Sequence, residues 1–529
     1  MNEQLCRARI AHNAQTREPN LDLSSLKITM LPETIGELTH LEHLDLSRNR
    51  LQQLPAELAK LTKLRRLDLS YNDEIEVLEP WIGQLSNLEE LHLRELSVSE
   101  LPESMALLHQ LHTLDMSYTN LNELPRWLDE LPTLQTLNIS GLNIGEIPAW
   151  FASLQLKQLL YDLKGIPNEH LIGSMSTLQE LDLMYDHRNP TTLPEWLRQM
   201  HHLRRLCFSG NIVVPLWLME LSQLTYLESY SDFQEIGHVW HNWQSLEHLK
   251  CYELATTTLP PNLKTLETTI SGSAIPESIR QLHQLEELWL SGEELSELPG
   301  WVLELPKLHS LDIANTGIDH ILPPAQPNSS LRKLMMDSRD CSGNHSLDGL
   351  RSLSRLEELH LTNHSIGKLP AWLHELQHLR QLSIEGCNLT DLDLRLGQLH
   401  QLETLRAKGN YIPIARLDQL LSQLSQLKHL SLNLTGTDEL PKSICQLDQL
   451  CSLSIHMWRN HELPEWINQL EKLEILQISG SELDNPLALE SWLALPKLKL
   501  LRLNFYPTYP IDPELLQRFI QHGVKVALR

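Results

Sequence analysis

The frame Leu-x-x-Leu-x-Leu decides what this chain can fold into. The stretch Leu41-Glu42-His43-Leu44-Asp45-Leu46-Ser47-Arg48-Asn49 returns 23 residues later as Leu64-Arg65-Arg66-Leu67-Asp68-Leu69-Ser70-Tyr71-Asn72. It recurs from Leu88, Leu111, Leu134 and Leu156 to Leu427, Leu450, Leu473 and Leu498, about 22 copies, most of them 22 to 25 residues apart. A fixed period in this range marks units that cannot bury an apolar face alone and do so by stacking. A length of 529 residues would otherwise suggest several domains. Stacked units share one continuous core, and the repeat overrides that expectation.

Each repeat reads alike. In Leu41 to Leu64, Leu44 and Leu46 point into the core from a short strand, while His43, Asp45 and Ser47 face out. That is period-two alternation. Asn49 follows at the turn, where its amide bonds the backbone of neighbouring turns. Leu51 and Leu54 re-enter the core, and Pro55 starts a returning arm with Leu58, Leu61 and Leu64. Three-residue spacing fits a short helix or 3₁₀ turn. Parallel strands about 4.8 Å apart would extend the sheet roughly 100 Å over all copies.

Residues 31 to 51 supply Leu31, Pro32, Ile35, Leu38, Leu41, Leu44, Leu46, Asn49 and Leu51, the pattern LPxxIxxLxxLxxLxLxxNxL. With these residues the chain resembles the leucine-rich repeat family, in its intracellular form of roughly 23 residues. The resemblance covers residues 18 to 506 and implies an α/β solenoid, a horseshoe whose concave parallel sheet commonly binds protein. It is specific for fold and nearly silent about function. The turn asparagine is kept at Asn49, Asn72, Asn211 and Asn410, whereas Thr119, Thr316, Cys387, Thr435 and Ser481 replace it elsewhere. An uneven turn ladder is expected.

Three regions follow. Residues 1–18 form a helical cap, with Leu5, Ala8, Ile10 and Ala11 covering the first repeat before Pro19. Residues 19–506 form the solenoid, irregular around 184–277 and 321–353. The irregularities are an insertion at 186–190, a 17-residue spacing from Leu246 to Leu263 with Pro260-Pro261, a Pro-rich 322–330 and a loop at 337–349. Residues 507–529 form a second cap. There Asp512 caps a helix begun by Pro513, Gly523 closes it, and 524–528 add a strand over the open sheet edge.

The chain holds 68 acidic and 43 basic side chains, a formal charge of −25. That balance disfavours nucleic acid and anionic membranes and suits a basic protein partner. Its plainer reading is the solubility of an elongated surface. Seven scattered cysteines without a CxxC pair argue against a disulfide framework and for a reducing compartment, most of them as buried thiols. Met1 to Gln15 contains no apolar run of signal-peptide length, and no segment nears the roughly 18 apolar residues of a membrane span. A soluble, cytoplasmic protein is expected.

Three constellations could carry function. Nine of 13 tryptophans, Trp81, Trp127, Trp150, Trp196, Trp217, Trp301, Trp372, Trp466 and Trp492, share one place on the outer arm, either as a packing ladder or as an exposed ridge. Asp22, Asp45, Asp68 and Asp115, with Asp182 further on, align in one outward column of the sheet, where a basic partner would be welcomed. The alternative is that LDLS is simply the default wording of this repeat. Tyr185, Tyr226, Tyr230, Tyr252 and Trp289 fall on the same face, with Phe233, Trp240 and Trp243 close by. They resemble a binding hot spot, against the alternative of self-packing around irregular repeats.

Catalytic signals are poor. His374-Glu375-Leu376-Gln377-His378 matches HExxH, but Leu373, Leu376 and Leu379 are core positions of that arm and no third ligand follows. No phosphate loop and no GxSxG elbow occur. No metal or cofactor is expected. The sequence reads as a non-enzymatic protein-interaction scaffold. Aromatics from 185 to 289 would anchor the partner, and Asp45, Asp68 and Asp115 would steer a basic surface. Concrete forms are an immunity or antitoxin partner of a basic toxin, or an effector acting on host proteins. A zinc hydrolase at 374–378 and a purely structural repeat protein are the alternatives. The oligomeric state is not written in the sequence.

Overall fold

The computed structural model describes residues 2–528 apart from 186–190, 211, 232, 234–237, 255–257, 327–329, 338–346, 365, 435–439, 458–464, 481–486 and 506–512. The chain divides into two compact units. One is Met1–Leu246 with Lys250–Tyr252, the other Glu247–Leu249 with Glu253–Arg529.

In the first unit, strands from Asn20–Asp22 to Tyr226–Ser229 each pair in parallel with the strand of the next repeat. The register sets Leu21, Leu44, Leu67, Leu91, Leu114 and their successors side by side, all buried. Each fully buried leucine contributes about 1.5–3 kcal/mol, and this inner row fixes the register. The chain returns through one-turn 3₁₀ helices such as Glu33–Glu37, Ala56–Lys60 and Pro80–Gln84. A preceding Pro32 or Pro55, in extended conformation, starts such a turn, and Leu58 and Leu61 pin it to the core. In the second unit the same stacking runs from Thr265–Thr269 to Lys525–Leu528. One return there is a full α-helix, Ile414–Leu421, with Leu417, Leu420 and Leu421 buried. Both units are solenoids of strand, turn and arm, as the leucine spacing requires.

The turn ladder is uneven. Asn72 is fully buried; its Nδ2 donates to the carbonyls of Leu46 and Leu69 at 3.0 and 2.8 Å, and its Oδ1 accepts from Leu51 N at 3.1 Å. Asn49 and Asn410 repeat the arrangement. Thr119 and Thr316 each donate only to the carbonyl three residues back. Cys387 reaches the previous repeat at Leu361 O, 2.9 Å away. Asn211, Thr435 and Ser481 lie outside the described residues.

The first cap is the helix Asn2–Thr16. Its buried face is Cys6, Ile10 and Asn13; Leu5 and Ala8 are half-buried and Ala11 is exposed, which corrects the expected face. Asn13 belongs inside because it bonds the carbonyls of Glu18 and Asn20. At the other end the helix Pro513–Gln521 precedes the strand Lys525–Leu528, which pairs with Leu500–Phe505 and covers the sheet edge. Asp512 lies outside the described residues. So does the insertion at 186–190. Around Pro260-Pro261 and 322–326 the described chain holds no helix. Of the loop expected at 337–349, Asp348 and Gly349 instead open the 3₁₀ helix Asp348–Ser352.

Among the tryptophans of the outer arm, Trp81, Trp127, Trp372 and Trp492 are buried and the other five half-buried, so the row is packing rather than an exposed ridge. The six described cysteines are free thiols: Cys6, Cys251 and Cys387 buried, Cys207, Cys445 and Cys451 half-buried.

Candidate functional site

The aspartate column has a local job. Asp22, Asp45, Asp68 and Asp115 each accept, through Oδ1 at 2.9 Å, the backbone N–H two residues on, at Ser24, Ser47, Ser70 and Ser117. A carboxylate so placed closes an Asx turn at the strand end. Asn138 does the same without a charge, accepting from Ser140 N at 3.1 Å. The register reads Asp22, Asp45, Asp68, His92, Asp115, Asn138, so His92 interrupts the acidic run.

Further along the first unit, the outward side chains of Arg205–Ser209, Tyr226–Ser229 and residues 250–252 form a charged and aromatic cluster. The Arg205 guanidinium lies over the Tyr226 ring, 4.0 Å from its centroid, and the Tyr226 hydroxyl donates to Glu228 Oε2 at 2.9 Å. Glu228 also meets Arg205 at 3.7 Å and Lys250 at 3.5 Å, while Lys250 Nζ sits 5.7 Å from the Tyr230 ring centroid. Burial, then the bond to Glu228, pushes the Tyr226 phenol up to about 12. Burial, then the Asp182 carboxylate, pushes the Cys207 thiol well above its ordinary value, so it is an unreactive thiol. Tyr226 is thus fixed by its neighbours. Tyr230 and Tyr252 are 52% and 58% exposed and free to be covered.

The other aromatics of the expected cluster divide. Phe233, Trp240 and Trp243 are buried, with Phe233 packed edge-on to Trp240 at 5.0 Å and tilted against Phe208 at 6.4 Å; these three belong to the core. Trp289 is half-buried on the sheet of the second unit, between Glu267 and Asp312 in register. Tyr185 ends the strand Glu180–Tyr185, and its side chain lies outside the described residues.

A second array was not foreseen. Arg48 lies over the Tyr71 ring at 4.3 Å, and Arg94 stands 5.6 Å from Tyr71 and 4.6 Å from Tyr118. Arg48, Tyr71 and Tyr118 all take the left-handed turn position, with φ near 57–60°. Arg48 and Tyr71 fill the same place in successive repeats, so the period itself signals their contact. Within the same unit, Glu169 Oε1 accepts from the Tyr161 hydroxyl at 2.6 Å and from the N–H groups of Lys164 and Gly165, a buried knot holding an irregular arm.

The HExxH stretch does not form a zinc site. Ala371–Glu375 is a single 3₁₀ turn that ends before His378, so the two imidazoles do not share a helical face. His374 Nδ1 faces Ala371 O at 2.7 Å. Glu375 is bound by both arms of Arg351 at 2.8–2.9 Å, and this holds its carboxyl below the usual range. Among the described residues no group of three or more His, Cys, Asp and Glu side chains converges as a metal site, and no helix is long and apolar enough to cross a membrane.

Comparison with known proteins agrees with the geometry. The family described as "Leucine-rich repeat region" matches residues 20–111 and 102–271, and "R13L1/DRL21 LRRs" matches 329–410. The rice Plant intracellular Ras-group-related LRR protein 8 is 34% identical over 100 residues, 19% of this chain and 26% of that protein. The adenylate cyclase of Schizosaccharomyces pombe is 30% identical over 168 residues, 31% of this chain and 10% of that enzyme. The chain therefore spans at most about a quarter of these curated relatives' length. The crystal structure of the TLR13–ssRNA13 complex is 17% identical, with a TM-score of 0.58, covering 94% of this chain and 90% of that one; it shows the fold. Such scaffolds are typically not catalytic and generally mediate protein–protein interaction. The chain belongs to the leucine-rich repeat proteins.

Proposed function

We propose that the chain is a non-enzymatic scaffold that captures a partner protein on the outward face of the strands in its first unit. The observation that carries this reading is the exposure of Tyr230 and Tyr252, 52% and 58%, beside the charged side chains of Arg205, Glu228 and Lys250. Large rings left in water beside an ion-paired Glu228 and Lys250 have the composition of a recognition hot spot. Tyr226 and Arg205 form the rigid floor beside them. Trp289 offers a separate half-buried anchor in the second unit. Asp45, Asp68 and Asp115 attract a basic surface with the charge left over from capping their turns. A basic toxin bound by an immunity-type protein is one such partner; a host protein bound by an effector is another.

The test is capture from native lysate. Tyr230→Ala with Tyr252→Ala is expected to abolish the captured band while leaving the circular dichroism and the melting curve unchanged. Asp45→Asn, Asp68→Asn and Asp115→Asn together keep the turns, as Asn138 does, and are expected to slow association and flatten its salt dependence. Undiminished capture by the double tyrosine variant rejects the site.

A further inference from the structure

The outward face of the last strands in the second unit has the opposite character from the aspartate column. In register, one column runs Arg406, Ser431, Ser454, Gln477, Arg502. The next column over the final strands is Asn433, His456, Ser479, Asn504, with Lys408 just past the strand Thr404–Arg406. Neither run contains a carboxylate, in a chain whose formal charge is −25. Arg406 and Arg502 are exposed, and among the described residues no salt bridge to a carboxylate is formed by either. Lys408 instead reaches across small side chains to Ser454, its Nζ donating to Oγ at 2.8 Å. Burial, then the Lys408 charge, holds His456 below its ordinary value, which agrees with a local positive field. Nearby acids lie before these strands or one repeat back: Glu403 is bridged by Lys428 at 3.1 Å, Glu474 by Lys499 at 2.9 Å, and Glu385, one repeat before Lys408, acts on its charge.

We infer that this face binds an extended acidic segment of a partner protein, lying across the strands with carboxylates on Arg406 and Arg502 and its backbone on the Ser431, Ser454 and Gln477 side chains. Arg406 and Arg502 stand four strand spacings apart, about 19 Å, the reach of roughly six extended residues. The guanidinium fork suits a carboxylate in two-pronged geometry, and the intervening hydroxyls and amide supply donors and acceptors for a peptide backbone. Nucleic acid fits less well. A single strand needs a stacking platform of aromatic rings, and the described outward positions of these columns hold none. A long polyanion would also meet the field of the whole chain, whereas a short acidic segment feels mainly the local cations. This site shares no residue with the tyrosine cluster, so either can fail alone.

The experiment uses the full chain and a fluorescein-labelled peptide of about 12 residues, Asp and Glu alternating with Gly and Ser. Fluorescence polarisation is expected to show saturable binding. Arg406→Glu with Arg502→Glu should weaken it at least tenfold, and Lys408→Gln less so. Arg406→Gln with Arg502→Gln, removing two exposed side chains, provides the variant least able to disturb folding, and its loss of binding should be intermediate. Tyr230→Ala is expected to leave the acidic peptide's affinity unchanged. Unchanged affinity in the correctly folded double-glutamate variant overturns the proposal. So does an RNA oligonucleotide of equal formal charge that binds more tightly through the same arginines, or sedimentation showing that the two arginines instead hold a second copy of this chain.

Discussion

Removing the Asn72 amide should loosen one repeat in a way that can be read at single amides. Asn72→Ala leaves two buried groups without their partner, the Leu51 N–H, now bonded at 3.1 Å, and the Leu69 carbonyl, now bonded at 2.8 Å. The Leu46 carbonyl keeps its bond from Asn49, at 2.8 Å. An orphaned buried polar group costs about 1–3 kcal/mol, which puts the two at about 2–6 kcal/mol. Asn72→Thr should cost about half as much, because Thr119 in the equivalent place still donates to the carbonyl three residues back. Nearest-neighbour coupling in a solenoid keeps most of the loss local. Hydrogen exchange followed by mass spectrometry on fragments containing Leu51 and Ile28 reads this directly. Exchange at Leu51 is expected to quicken about tenfold or more in Asn72→Ala, since each 1.4 kcal/mol of opening energy is tenfold. Ile28, held by Asn49 Oδ1 at 3.3 Å, should exchange as before. Asn49→Ala should reverse the pattern. Equal protection of Leu51 with and without the amide would refute the reasoning, because it would mean that water replaces Asn72 without cost.

Other consequences follow from the same packing. A methyl group added at Gly36 would meet Glu57 Cβ at 2.6 Å and its carbonyl oxygen at 2.7 Å, so Gly36→Ala should lower stability by about 1–3 kcal/mol in urea titration; a neutral result would show that adjacent arms can slide apart. Trp127 is fully buried, and Trp127→Ala should cost about 3–5 kcal/mol by the same measurement, while Trp127→Phe should cost less. His360, His429 and His456 are each held below the ordinary histidine value, burial being the first cause in each. Unfolded, they take up protons near pH 6.5; folded, they do so only at lower pH. Stability is therefore full above about pH 6.5 and is lost as pH falls through their lowered values. The urea midpoint should drop between about pH 7.5 and 5.5, and His360→Asn should shrink the drop; a flat profile would contradict the assignment.

Most of the fold is legible because one force dominates it. Leucine burial imposes the register, and Leu44, Leu67 and Leu91 can be placed by counting. The turn asparagines are legible for a related reason, since a buried amide must find partners. The helix Ile414–Leu421 could have been read from Leu417, Leu420 and Leu421 after Pro413, a helical spacing where other arms show steps of three. The candidate sites were harder because outward side chains are not constrained by the core. Asp45 looks like free charge until the N–H of Ser47 is placed beside its carboxylate. Phe233 and Trp240 carry no register signal, lying in an irregular repeat, and only the fold sets them edge-on inside. Tyr161 and Glu169 are joined across an arm whose path no periodicity gives.

The aspartate column of one unit and the carboxylate-free column of the other differ in how their strands end. In the first unit, strands ending on Asp22, Asp45, Asp68, Asp115 and Asn138 are three residues long, and the side chain takes the next free N–H. In the second unit, Ser431, Ser454, Gln477 and Arg502 fill that column, and their strands run six residues. There the backbone pairs with the next repeat instead of with a carboxylate. Asp182 and Asp312 lie in strands of six and five residues, so an aspartate permits the early stop without forcing it. Arg502 fills the column in a six-residue strand, whereas Arg406 and His92 end three-residue strands without a carboxylate, so a short strand tolerates other side chains there too. Strand length therefore biases the column without fixing its sign: an aspartate at a short strand's end supplies an acceptor for the N–H two residues on, and the six-residue strands leave the same position to neutral or basic side chains.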